Sequence, residues 1–135
     1  MADKLVLLLC GGLLLSRVAG AAPPHIMSAD ALDAFPSPPA DATIAYGADP
    51  LQFGELRLPP GDGPFPAIVL IHGGCWLAKY DLSYIRKLAA AFTAAGIATW
   101  TVEYRRVGDP GGGWPGTYED IAASGDHLRS LAGQY

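Results

Sequence analysis

The residues most suited to chemistry stand together in the segment Ile68–Trp76, "IVLIHGGCW". An apolar run ends there at His72, Gly73, Gly74 and Cys75. Glycines allow the backbone to turn sharply and leave its N–H groups uncovered by side chains. Such amides can stabilise a carbonyl oxygen that becomes negatively charged during acyl transfer. The same glycines could equally serve only a turn, with His72 bonded to local backbone groups, so the segment alone leaves both interpretations open.

The elements around this segment predict a parallel sheet. Ala67–Ile71 is apolar at successive positions, which is typical of a central parallel strand covered on both faces. Asp81 or Ser83 can cap a following helix, Leu82–Ala95, which Gly96 ends. Its apolar residues recur at helical spacing: Ile85, Leu88, Ala89 and Phe92.

The next strand, Ile97–Tyr104, is rich in β-forming residues and completes a strand–helix–strand unit, which predicts a right-handed crossover and parallel pairing. His72 then lies at the carboxyl end of a parallel strand, where α/β sheets usually bind ligands.

Two strands are expected before this unit, at Thr43–Tyr46 and Leu51–Leu58, in an antiparallel arrangement. Apolar residues occupy odd positions early in the second strand and even positions later, so we predict a β-bulge near Gly54. A last helix is predicted over Thr117–Leu131, with the Thr117 hydroxyl as cap and Asp120 three residues on, as in a capping box. Its buried stripe is Ile121, Leu128 and Leu131.

Two long stretches, "GELRLPPGDGPFPAIVLIHGGCW" and "GIATWTVEYRRVGDPGGGWPGTYEDI", resemble the esterase/lipase branch of the α/β-hydrolase family. The resemblance covers Thr43 to about Leu131. It implies a three-layer α/β fold, here its first four strands and first two helices, and hydrolysis of a carboxylic ester without a cofactor. It also implies that the Gly73 and Gly74 amides form half of an oxyanion hole, supported by His72 and Trp76.

The attacking group of that family is a serine in G-x-S-x-G, and this sequence contains no such motif. The segment Ser124–His127, "SGDH", has suitable residue types, but neighbours on one helix point in different directions and cannot align as a triad. We therefore expect a serine nucleophile beyond the end of this chain, and an inactive isolated chain.

Other functions remain open. Relatives with this loop include amidases and peptidases, such as kynurenine-formamidase-like and prolyl-oligopeptidase-like enzymes. A non-catalytic binding module is the alternative if 135 residues is the true length. Against the module, the resemblance implies that the strand before His72 pairs with a later strand of the family's sheet, absent here, so it would present a bare apolar edge that favours aggregation.

Three further motifs are weaker. Gly111–Gly116 matches G-x-G-x-x-G, but Pro115 interrupts the expected helix start, so we expect a loop that lines the substrate cleft. Cys75 beside Trp76 is similar to the surroundings of papain-like nucleophiles, yet a small, partly buried filler is the preferred interpretation. The charged strand end, Glu103, Arg105 and Arg106, could anchor an anionic group or form internal pairs.

The first residues predict export. Residues 1–21 have a lysine, an apolar core and a small-residue cleavage site, typical of a signal peptide and too short for a stable membrane span. Residues 22–42 form a Pro/Ala-rich arm that contains His25, to which no role is assigned. Residues 43–135 form the N-terminal part of a hydrolase domain. We thus expect a secreted or periplasmic protein.

Composition narrows the choice of partners. The net charge is −4 and the nine Lys and Arg are scattered, which argues against nucleic acid. Removing the signal leaves one cysteine, so no intrachain disulfide can form. No group of His, Cys, Asp and Glu has metal-ligand spacing. The expected partner is a small-molecule ester or amide, with the oligomeric state left open.

Overall fold

A computed structural model describes residues 37–135. The predicted signal peptide, His25 and most of the predicted arm lie outside the described residues. No helix within 37–135 combines the length and the apolar composition needed to cross a bilayer.

The described residues form one mixed four-stranded sheet with two α-helices. The strands are β1 (Ala42–Ala45), β2 (Phe53–Arg57), β3 (Ala67–Ile71) and β4 (Ala98–Val102). The helices are α1 (Arg86–Ala94), preceded by a 3₁₀ turn at Leu82–Ile85, and α2 (Gly116–Leu131). The strand order is β1-β2-β4-β3, with β3 parallel to β4 and the other pairs antiparallel. The predicted incomplete α/β-hydrolase-like sheet is confirmed.

The predicted bulge near Gly54 is wrong. Each β2 residue faces one residue on either side, as Gly54 faces Ile44 in β1 and Val102 in β4. The shift in apolar phase has another cause: Leu51 and Leu58 lie outside β2, and Phe53 and Leu56 lie on opposite faces of a regular strand. Gly54 is required by packing, because a Cβ at this position would lie 2.3 Å from an atom of the Trp100 indole.

The two faces of the sheet differ in polarity. On the α2 face the core consists of Leu56, Trp100, Val102, Tyr104 and Leu131. The predicted stripe of α2 is confirmed there, since Ile121 and Leu128 also pack against this core. On the α1 face the buried positions are largely polar: Glu55, Arg57, Thr99 and Thr101.

Strand β3 lies at the edge of the described sheet, so the expectation that both of its faces are covered is wrong. Leu70 is 8% exposed, whereas Val69 and Ile71 are 38% and 48% exposed. Val69 and Ile71 lie on the face of Trp100 and Val102, their partners in β4. Only one neighbour pairs with β3 among the described residues, which leaves the expected apolar edge.

The two helical segments differ in how their first turns are capped. Asp81 caps the first helical segment, since its Oδ1 accepts from the Ser83 amide at 2.9 Å, and Gly96 ends α1 with a positive φ of 87°. Helix α2 begins after Pro115, and Thr117 lies inside it. The predicted capping box is wrong: the Thr117 hydroxyl donates to the Arg105 carbonyl at 2.6 Å and accepts from Gly113 N at 3.0 Å.

Candidate active site

His72 follows the last residue of β3 and is buried, at 2% exposure. Its ring stacks on Tyr104 with centroids 4.4 Å apart and an interplanar angle of 18°. Nδ1 lies 2.9 Å from the Gly73 carbonyl oxygen, and Nε2 lies 3.1 Å from Glu103 Oε1. The Tyr104 hydroxyl donates to the His72 carbonyl at 2.7 Å. His72 therefore fixes the start of the loop Gly73–Trp76, called the glycine loop below. The buried ring is not available as a surface base.

The Glu103 carboxylate beside His72 accepts several other hydrogen bonds. Its Oε2 accepts from the Leu82 amide and its Oε1 from the Tyr104 amide, both at 3.0 Å. Arg106 Nη1 lies 3.2 Å from Oε1. Burial alone would raise the pKa of this carboxyl, but the hydrogen bonds and the Arg106 charge together lower it below its ordinary value. The ionised carboxylate thus joins β3, β4 and the start of the first helix.

The loop after His72 keeps its amides unengaged. The N–H groups of Gly73, Gly74, Cys75 and Trp76 donate to no other group in residues 37–135. Gly73 and Cys75 are exposed. Free amides at the carboxyl end of a parallel strand are the donors that an oxyanion hole needs.

An unusual backbone path keeps the loop in this shape. Gly74 has φ of 120°, and Cys75 and Trp76 have φ of 53° and 56°, a left-handed region that non-glycine residues seldom adopt. A Cβ on Gly74 would lie 2.5 Å from the Tyr80 ring. The segment is closed by Val107, whose amide donates to the Trp76 carbonyl at 2.8 Å and whose carbonyl accepts from Ala78 at 3.1 Å.

Trp76 connects this loop to an open apolar pocket of about 270 Å³. The pocket is lined by Trp76, Val107, Gly113, Trp114, Thr117 and Tyr118. Tyr118 lies between the two tryptophans, with ring centroids 5.8 Å from Trp76 and 5.1 Å from Trp114. The glycine-rich loop at 111–116 therefore borders a pocket, through Gly113 and Trp114.

Cys75 departs from its predicted role. It is exposed rather than a partly buried filler, because the left-handed turn places it on the outside of the loop.

Among the described residues, no three His, Cys, Asp or Glu side chains form a group that could hold a metal ion.

The charged strand end is used internally, so the anion-anchor interpretation is wrong. Arg105 pairs with buried Asp120, with Nη2 2.6 Å from Oδ1 and Nε 2.9 Å from Oδ2. Burial would raise the Asp120 pKa, but its hydrogen bonds from Arg105 and Gln52 lower it. Arg106 donates to the Tyr80 carbonyl and to Asp109.

The segment Ser124–His127 forms no triad. Ser124 is fully buried and accepts from Trp100 Nε1 at 2.9 Å. Asp126 is exposed and pairs with Arg129 on the next turn. The His127 ring is beside Trp100, with ring centroids 6.2 Å apart and an interplanar angle of 34°.

Sequence reasoning placed His72, Gly73, Gly74 and Trp76 at one loop, and the structure brings them together. It missed the role of Glu103 and Tyr104 as the support of His72. The available signal was their position: both directly follow β4, which is parallel to β3, just as His72 directly follows β3, so the three residues lie at the same edge of the sheet.

Comparisons with known proteins agree with this geometry. The BD-FAE family model matches residues 55–135. A bifunctional GH43-CE protein of Bacteroides eggerthii is 25% identical with a TM-score of 0.59, over 68% of this chain and 13% of that chain. An inhibited esterase B of Lactobacillus rhamnosis is 28% identical with a TM-score of 0.54, over 62% of this chain and 28% of that chain. No curated protein matches significantly.

This chain thus spans a small part of the solved structures that it resembles. The family match covers more than half of its residues and includes the glycine loop, β3, β4 and both helices. The chain belongs to the BD-FAE family, an esterase-type domain of the α/β-hydrolase fold.

Proposed function

We propose that this chain provides the oxyanion-binding half of a carboxylic ester hydrolase. The observation that carries the proposal is the set of unengaged amides at Gly73 and Gly74, at the carboxyl end of β3. In acyl transfer, a tetrahedral intermediate places negative charge on the former carbonyl oxygen, and positioned amides stabilise it. The buried His72–Glu103 contact holds the loop that carries these amides.

The adjacent pocket supports an ester with an apolar part. Its walls are mainly aromatic, from Trp76, Trp114 and Tyr118, and it begins at the loop residue Trp76. An apolar group bound there would leave its carbonyl near the glycine loop. An amide substrate would place its carbonyl at the same position near the glycine loop. Amidase or peptidase activity is therefore the second candidate function of this site.

The attacking group is proposed to be a serine outside these 135 residues. The sequence lacks G-x-S-x-G, and buried Ser124 already accepts a hydrogen bond from Trp100. The similar solved chains are several times longer than the part that matches, which leaves room for a nucleophile, an acid and a base elsewhere. We also propose export through the N-terminal signal segment.

Complementation tests this function. The 135-residue chain alone is expected to leave p-nitrophenyl acetate and butyrate intact. Mixed with a C-terminal fragment of a BD-FAE family member that carries the G-x-S-x-G serine, it should hydrolyse them, and a fluorophosphonate should label that serine. The matched control is the same fragment with this serine replaced by alanine.

Two results would contradict the proposal. One is a correctly folded two-fragment complex, shown by cooperative melting, that has no esterase activity. The other is activity of the chain alone that iodoacetamide abolishes, since this would assign the nucleophile to Cys75. A soluble monomeric chain that melts cooperatively and never complements would favour the binding module.

A further inference from the structure

The shape of the aromatic pocket beside the glycine loop suits one kind of substrate group. Trp76, Trp114 and Tyr118 form most of its wall. The Tyr118 ring makes interplanar angles of 53° with Trp76 and 68° with Trp114, so neither tryptophan is parallel to it. Two parallel rings can sandwich a flat group, whereas rings inclined to one another form a cage around a compact one. The pocket therefore favours a compact group.

The pocket has room for part of a substrate only. Its volume is about 270 Å³, whereas pockets for drug-sized ligands are about 300–1,000 Å³. Its rings are accessible, since Trp76 and Tyr118 are 52% and 48% exposed and Trp114 is 82% exposed. Trp76 also ends the glycine loop, so a group held in the pocket belongs to a molecule that reaches the free amides.

The chemistry of the wall favours a cation without N–H groups. None of the lining residues is charged, so a primary ammonium group would lose hydrogen bonds to water without reaching a carboxylate in the wall. The Thr117 hydroxyl is already bonded to the Arg105 carbonyl and the Gly113 amide. A quaternary ammonium group has no N–H to leave unpaired, and its charge is attracted to the faces of indole and phenol rings. The net charge of −4 also favours a cation over an anion.

We propose that this pocket binds the quaternary ammonium group of an ester substrate, such as a choline ester, while the glycine loop holds the ester carbonyl. The inference rests on the proposed hydrolase function and names its substrate class. Hydrolysis of such an ester consumes one water, breaks the acyl C–O bond, and releases a carboxylic acid and an amino alcohol. The ammonium group itself is unchanged.

Binding by the full chain tests the pocket without the missing nucleophile. Choline is compared with 3,3-dimethyl-1-butanol, a neutral molecule of the same shape, at constant ionic strength. The indole Nε1–H resonances are followed by NMR in ¹⁵N-labelled protein. Those of Trp76 and Trp114 should shift saturably, with an apparent Kd at least about threefold lower for choline. Trp100, which is buried and donates to Ser124, is the internal reference.

Two results of this titration overturn the proposal. One is a Kd for choline equal to or higher than that of the neutral molecule, because the pocket would then be merely apolar. The other is a Trp100 resonance that moves in parallel with the other two.

Variants test whether the aromatic faces are the source of the preference. Trp114→Leu keeps an apolar wall but removes one face, and should lower the preference for choline about threefold or more. Tyr135→Leu is the matched control, since this exposed ring lies beyond the end of α2, far from Tyr118 in the first turn of that helix. An unchanged preference in Trp114→Leu would contradict the proposal.

The complemented enzyme separates failure of this inference from failure of the proposed function. It should hydrolyse acetylcholine with a higher kcat/KM than 3,3-dimethylbutyl acetate. Hydrolysis of p-nitrophenyl acetate without that preference would retain the ester hydrolase and overturn the quaternary ammonium pocket. Choline binding by a folded complex that cleaves no ester would overturn the hydrolase function and, with it, the role of the pocket in catalysis.

Discussion

His72 Nε2 and Glu103 Oε1 lie 3.1 Å apart, and their side chains are 0% and 3% exposed. This contact connects the residue that begins the glycine loop to the end of the neighbouring strand. The same carboxylate accepts from the Leu82 amide, where the first helical segment starts. One buried group therefore sets the positions of three elements that meet at the candidate active site.

Glu103→Gln should destabilise the chain by about 3 kcal/mol, because an amide nitrogen would face one of the buried donors. The effect should also depend on pH. Since the folded pKa of Glu103 is below its ordinary value of 4.5, its stabilisation is present above that value and is lost as pH falls through the lower, folded pKa. The variant should therefore lose less Tm on acidification than the wild type.

Thermal melts from pH 7 to pH 3 measure both effects. Asp81 and Asp120 also have lowered pKa values, so some acid sensitivity should remain in the variant. Identical Tm–pH slopes for the two proteins would show that Glu103 does not contribute as proposed.

Gly54→Ala should destabilise the fold by about 1–3 kcal/mol, because the new methyl group would overlap the Trp100 indole. Gly125→Ala is the matched control. Its Cβ would meet nothing within 4 Å, and it should stabilise helix α2 by about 0.5–1 kcal/mol. Urea unfolding of both variants checks the prediction, and an unchanged midpoint for Gly54→Ala would contradict it.

Gly73→Pro removes one amide donor from the glycine loop. In the complemented enzyme it should lower kcat by about 10²-fold or more, as expected for a lost oxyanion contact. Gly73→Ala keeps the amide, and its Cβ would meet nothing within 4 Å in the described residues. The two variants should therefore differ mainly in kcat. Equal kcat values for the two variants would show that the Gly73 amide does not donate to the oxyanion.

Cys75→Gly should stabilise the chain by about 0.5–1 kcal/mol, because glycine adopts the observed φ of 53° without steric cost. Cys75→Ala keeps the steric conflict and should bring no such gain. Differential scanning calorimetry of the three proteins compares them. A Tm of the glycine variant below that of the alanine variant would argue against a strained loop at this position.

Local patterns in the sequence were sufficient for several parts of this structure. The apolar run Ala67–Ile71 has the predicted bounds, and Gly96 ends the following helix as expected. These features depend on residues within a few positions of one another, where period, capping and glycine conformation act directly. The grouping of His72, Gly73 and Gly74 after the strand followed from the same local rules.

The predictions from sequence were wrong where residues far apart in the chain decide the local structure. Gly54 suggested a bulge, but its reason is the size of Trp100, a residue 46 positions later that packs across the sheet. Thr117 and Asp120 suggested a helix cap, but both are used by Arg105 from the preceding strand end. A capping pattern predicts a hydrogen bond between residues close in the sequence. It gives no information about a distant residue, such as Arg105, that takes the same hydrogen-bonding groups in the folded protein.

The amino-acid sequence by itself determined the strand–helix–strand unit, the glycine loop at its carboxyl end and the family resemblance, because these depend on short-range periodicity and motif spacing. Only the tertiary structure decided that Glu103 and Tyr104 hold His72 and that Trp76 borders an aromatic pocket. It also decided that two buried nitrogens of Arg57 have no hydrogen-bond partner among residues 37–135. Each of these depends on which side chains meet across neighbouring strands, and that follows from sheet register and three-dimensional packing.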